Sequence, residues 1–181
     1  MPFDYAQGNI FLRFIPQLNG HWGKDPSSCL KYCIFMAMDL LQKTVFITAP
    51  MHAVWDSLTV PEFIQKWTHD SPIEIQTDWK VGSTIITSGD LHGIPFINSG
   101  TILELDPGIK LCYSFLSSLS NLPDTEESYC ILEFNLTHEN KQTRLELNIR
   151  NFPDEVIRKH LELYWGPTFE LIKQQTENRQ I

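Results

Sequence analysis

The chain is short of several things that specialised proteins need. Basic residues are outnumbered, with 14 Lys and Arg against 22 Asp and Glu among 181 residues and a formal net charge of -8. Phosphate binding needs a basic face, so nucleic acid is excluded as the expected partner. Long apolar runs are missing too. Ile34 to Leu41 comes nearest, with Lys31 and Asp39 interrupting it, whereas a membrane span takes about 20 apolar residues. The first residues carry Asp4 and no base before Arg13, unlike the basic start of a secretion signal. Cysteine is sparse, at four. Cys29 and Cys33 are not a C-x-x-C, and no further ligands at zinc spacing follow them. Cys112 and Cys130 fall in predicted strands and read as buried free thiols. A reducing, cytoplasmic setting is the expectation. There is no phosphate-binding glycine loop, zinc signature or nucleophile elbow. No metal or cofactor is implied.

What is present begins near Leu40. Residues 1–38 are rich in Gly, Pro, Asn and aromatics and hold no sustained period. They read as a poorly ordered extension, with a short helix over Ser28 to Met38. Met36 and Met38 stand beside Met1 as candidate starts. Residues 39–181 read as one domain with a real core. Thr44 to Ala49 alternates as a strand. Pro50 suits the first turn of a helix, where its missing N–H costs nothing. Met51, Val54, Trp55 and Leu58 then fall at i, i+3, i+4 and i+7, one apolar helix face. Pro61 opens a second helix carrying Phe63, Ile64 and Trp67.

Six strands are predicted next: Ile73 to Thr77, Thr84 to Ser88, Ile94 to Leu105, Lys110 to Leu116, Ser128 to Leu136 and Thr143 to Arg150. Asp106-Pro107-Gly108 is a strong turn signal between two of them. In the last, Leu145, Leu147 and Ile149 alternate with Arg144, Glu146, Asn148 and Arg150, the pattern of a sheet with one buried and one wet face. From Pro153 the residues Ile157, Leu161, Tyr164, Trp165, Phe169 and Ile172 make the apolar stripe of a long helix. Pro167 within it predicts a kink or break. The class is α+β: a curved antiparallel sheet around a C-terminal helix, with two short helices after the first strand.

Thr44-Val45-Phe46-Ile47-Thr48-Ala49-Pro50, followed by Val54-Trp55, Leu58-Thr59, Pro61-Glu62 and Trp67, resembles the start of the activator of Hsp90 ATPase homologue-like family. Val81-Gly82, Gly100-Thr101-Ile102 before Glu104, and Trp165 are similar as well. The resemblance covers roughly residues 40 to 178. Val60 departs from the Asp common before the Pro-Glu, leaving Thr59 as a candidate cap, and Ser83 departs from a second glycine. The family belongs to the START and Bet v 1-like superfamily, whose helix-grip fold encloses an apolar cavity between sheet and C-terminal helix. The resemblance therefore implies a pocket for a small lipophilic ligand. It leaves two alternatives: co-chaperone-type binding that stimulates an Hsp90-type ATPase, and a cyclase- or hydrolase-like enzyme. A chaperone or a second copy of the chain is the macromolecular partner it allows.

The candidate liners are Trp55, Phe63, Trp67, Trp79, Phe96, Phe115, Tyr129, Phe134, Leu147, Tyr164, Trp165 and Phe169. Aromatics suit that role because each supplies large, stiff contact area. Tyr113, Tyr129 and Tyr164 are the phenols that could orient a ligand. Catalytic constellations are weak, so binding is favoured over catalysis. His52 and Asp56 are i, i+4 helix neighbours with no nucleophile beside them. Asp90 with His92, and His138 with Glu139, read as turns; His69-Asp70 reads as a helix stop.

Overall fold

The computed structural model describes residues 40–68 and 72–179, all within the unit Met36–Ile181. The expected extension over 1–38, its helix and candidate starts, Cys29, Cys33 and His69-Asp70 lie outside the described residues. Seven strands form one sheet in the order β1-β7-β6-β5-β4-β3-β2. They are β1 (Leu41–Ile47), β2 (Ile73–Thr77), β3 (Thr84–Leu91), β4 (Ile94–Asp106), β5 (Lys110–Ser117), β6 (Cys130–Glu139) and β7 (Gln142–Arg150). Every neighbouring pair is antiparallel. Helices α1 (Met51–Thr59) and α2 (Pro61–Thr68) follow β1, and α3 (Glu155–Asn178) closes the described chain.

Turn chemistry sets the register. β3 and β4 meet at His92-Gly93, and β6 and β7 at Asn140-Lys141. All four turn residues have positive φ, at 54°, 90°, 49° and 66°, which matches the twist of a two-residue hairpin. Asp90 Oδ1 accepts from the Gly93 amide and fixes the first of these turns, so the expected local role of Asp90 is what the structure holds. Both strand ends run past the alternation visible in sequence. β3 reaches Leu91 because its pairing with β4 continues to the turn, with Leu91 opposite Ile94.

The sheet bends at Gly100. Register slips by one residue between Ile102 and Glu104 of β4, leaving Leu103 as a bulge that sharpens local twist. Just before it, β4 and β5 come so close that a Cβ on Gly100 would lie 1.6 Å from the Ser114 carbonyl oxygen. The Thr101 amide donates to the Ser114 hydroxyl (2.9 Å) rather than to a backbone carbonyl. The irregular pairing of β4 with β5 contrasts with the unbroken register of the flatter-paired half made by β1, β7 and β6.

Over the flatter half the sheet is solidly packed. Val45, Ile47, Leu145, Leu147 and Ile149 are buried with Phe169 and Ile172 of α3. The opposite face is wet, as the alternation predicts: Glu133 there meets Lys110 (3.4 Å) and Arg150 (3.3 Å). Helix α3 starts on Asp154, whose carboxylate accepts from the Ile157 amide at 2.8 Å. Of the kink or break expected at Pro167, the break is absent, because one helix runs through it. Two features permit this. Gly166 lacks the Cβ that would clash with a following proline ring. The carbonyl of Leu163, deprived of its donor, sits on the exposed side of the helix, where water can take it.

The C-terminal turn of α3 is tied to α1 by a polar knot. Thr176 Oγ1 and Ser57 Oγ lie 2.7 Å apart, both buried. Arg179 donates to Ser57 Oγ (2.6 Å) and to the Ala53 carbonyl (2.8 Å), with its guanidinium 3.8 Å above the Phe63 ring. Trp67 Nε1 donates to the Ser57 carbonyl at 2.8 Å. Ser57 thus replaces Met51 on the buried face of α1, and Met51 and Trp55 are only partly covered.

Candidate functional site

The bent half of the sheet is not filled. Between the concave face of β2–β5 and the first half of α3 lies a cavity of about 500 Å³. Its floor is aromatic. Trp165 is the hub, with ring centroids of Phe134 at 5.4 Å, Tyr164 at 5.3 Å, Phe169 at 6.0 Å and Trp67 at 6.1 Å. Three of these meet it edge-on, the favoured geometry for aromatic pairs. Its indole N–H is buried without a hydrogen-bond acceptor.

Of the twelve candidate liners, the structure brings Trp67, Trp79, Phe96, Phe115, Phe134, Tyr164 and Trp165 to the cavity wall. Trp79 gets there at a cost, since its φ of 51° is a region that side chains with a Cβ rarely adopt. The other five stand elsewhere. Trp55 packs from the side against the core. Phe63 lies under Arg179. Tyr129 donates its hydroxyl to Asp124 at 2.8 Å. Leu147 and Phe169 are sealed in the flat half of the sheet, beyond reach of the space. His52, Asp56, Asp90, His92, His138 and Glu139 do not border it.

Other liners carried no signal strong enough to single them out. Ile75, Ile85, Thr87 and Leu91 come from β2 and β3, and Asn98 from β4. Leu119 and Leu122 come from the segment after β5, and Val156 and His160 from the start of α3, beside Ile157 of the predicted apolar stripe. Tyr113 was legible as a strand phenol, and two-residue alternation with Phe115 places it on the same face. It stacks on Phe134 at 6.2 Å and 17°. Among the described residues that border the cavity there is no Asp, Glu, Lys or Arg. Burial pushes the Tyr164 phenol up to about 12. It pushes Tyr113 higher still, with Tyr164 close enough to add to the effect. Both phenols are therefore neutral donors at ordinary pH.

A curved antiparallel sheet closed over by one long helix, with an apolar space left between them, defines a helix-grip protein of the START and Bet v 1-like type. Comparison with known families then fixes the branch. The chain belongs to the activator of Hsp90 ATPase homolog 1-like family, whose model matches residues 48–177. A solution structure from Cytophaga hutchinsonii is 33% identical, covering 77% of this chain and 94% of that one, with a TM-score of 0.66. A crystal structure from Chromobacterium violaceum shares the fold at 19% identity, covering 77% and 98%, with a TM-score of 0.67. The Aha1 dimer of Colwellia psychrerythraea does so at 18% identity, covering 76% and 96%, with a TM-score of 0.60. Curated proteins yield no match. Among the described residues no helix is long and apolar enough to cross a membrane.

Proposed function

We propose that the chain binds a small lipophilic molecule reversibly in the sheet–helix cavity, without covalent chemistry. The observation that carries this reading is the space itself. Its volume of about 500 Å³ falls within the range of ordinary ligand sites, roughly 300–1,000 Å³, and its walls are aromatic and aliphatic with few polar groups. Catalysis in the same cavity is the weaker reading. Among the described residues, the titratable groups on its wall are Tyr113, Tyr164, His160 and Cys130, and acid–base chemistry of the cyclase or hydrolase kind asks for a matched pair near neutrality.

Trp67, Trp79 and Trp165 border the cavity, so their emission reports its occupancy. Titration with Nile red is expected to quench tryptophan emission saturably. Thr87→Phe, which projects a ring into the same space, is expected to weaken that binding about tenfold or more. Unsaturable or absent quenching across neutral apolar probes of several sizes would remove the reading.

A further inference from the structure

Several of the polar groups around the cavity are already engaged. Ser114 Oγ accepts from the Thr101 amide at 2.9 Å. Ser120 Oγ donates to the Ser117 carbonyl at 2.7 Å, and Ser128 Oγ pairs with Thr125 Oγ1 at 3.3 Å. The Tyr113 hydroxyl differs. No described residue hydrogen-bonds it. Nor is it sealed away like the Trp165 indole, which is fully covered and unpartnered. Stacking on Phe134 holds the ring. Tyr113 is only partly covered and borders the cavity, so its hydroxyl is open to a partner there.

A second set of free polar groups stands at the other end. Thr87 pairs across the sheet with Asn98, and Asn98 with Ser117. All three border the cavity, and no described residue hydrogen-bonds the Thr87 hydroxyl or the Asn98 amide. Ser117 is four residues along β5 from Tyr113, on the same face, which spans about 13 Å at strand rise. Phe115 lies between them. Among the described residues the wall carries no Asp, Glu, Lys or Arg to balance an ion, and an unpaired charge left there would cost several kcal/mol.

We propose that the ligand is neutral and elongated. It has an apolar body, a hydrogen-bond acceptor such as a carbonyl that accepts from the Tyr113 hydroxyl, and a second polar group towards the other end of the cavity, facing Thr87 and Asn98. The proposal rests on the reversible-binding reading and adds ligand chemistry to it. Burial keeps the Tyr113 phenol protonated, so it has a proton to donate to such an acceptor.

The test uses two fluorescent probes of similar body. Prodan carries a ketone at one end of a naphthalene; 2-(dimethylamino)naphthalene lacks it. Tyr113→Phe is expected to weaken prodan about tenfold, the effect of one hydrogen bond, and to leave the ketone-free probe within about twofold. On the native protein, which needs no variant, the infrared carbonyl band of bound prodan is expected below its position in an aprotic solvent. In Tyr113→Phe it is expected to return. Equal losses for both probes, no loss for either, or an unshifted carbonyl band would overturn the Tyr113 assignment while leaving reversible binding in place. If Nile red bound the native protein and neither of these probes did, the ligand chemistry proposed here would fall and reversible binding would stand.

Discussion

Gly100 shows what one missing side chain can decide. Its hydrogen faces the Ser114 carbonyl at a spacing where a Cβ would sit 1.6 Å from oxygen, so no rotamer change can relieve a methyl there. Only a shift of β4 away from β5 can, and that would flatten the bend and disturb the Thr101–Ser114 hydrogen bond. Gly100→Ala is expected to destabilise the protein by about 3 kcal/mol or more, the upper range of overpacking. Urea denaturation would show this as a lower midpoint. A midpoint within error of the native protein's would mean that the two strands do not approach this closely in solution. The requirement was partly legible, since a glycine inside a strand pattern marks a bulge or a close approach. What sequence could not say was which backbone came close.

At the scale of elements, the knot between α1 and α3 decides how the lid is held. Ser57 and Thr176 are both buried and only 2.7 Å apart, and Arg179 caps the pair. Ser57→Ala and Thr176→Val each leave a buried partner short of one bond, at an expected cost of about 1–2 kcal/mol. The double variant is expected to cost less than the sum, by about 0.5 kcal/mol or more, because the second change removes a group already orphaned. Strict additivity in denaturant melts would show that the two hydroxyls are not coupled. The elements themselves were readable because period and punctuation agreed: Pro50, Pro61, Pro107-Gly108 and the alternation of Leu145, Leu147 and Ile149 each mark a boundary or a face. Sidedness between elements was not. Leu147 alternates inward as expected, yet the flat half of the sheet presses it against α3 rather than a space. Phe63 shares α2 with Trp67 but turns to Arg179. β4 also carries a register slip at Leu103 that no pattern of apolar residues records. Seven aromatic liners could be named from sequence; Leu119, Val156 and His160 at the rim could not.

For the molecule as a whole, the space is a burden that folding alone would remove. A dry, sealed void of about 500 Å³ would cost on the order of 10 kcal/mol at about 24 cal/mol per Å³. That rivals the entire net stability of a typical domain, about 5–15 kcal/mol. The rim lowers this cost because Leu119 and Val156 are exposed and admit water, but water against apolar walls is a poor filling. A ligand that displaces it stabilises only the native state. At a hundredfold excess over Kd the gain is about 2.7 kcal/mol. For a protein of this size that is about 5–10 °C in Tm. Prodan at such an excess is expected to raise Tm by that amount, in a saturable way, and Thr87→Phe is expected to shrink the rise. A probe that quenches tryptophan yet leaves the melt unmoved must bind the unfolded chain as well as the native one, and the cavity would lose its claim to be where this protein holds its ligand.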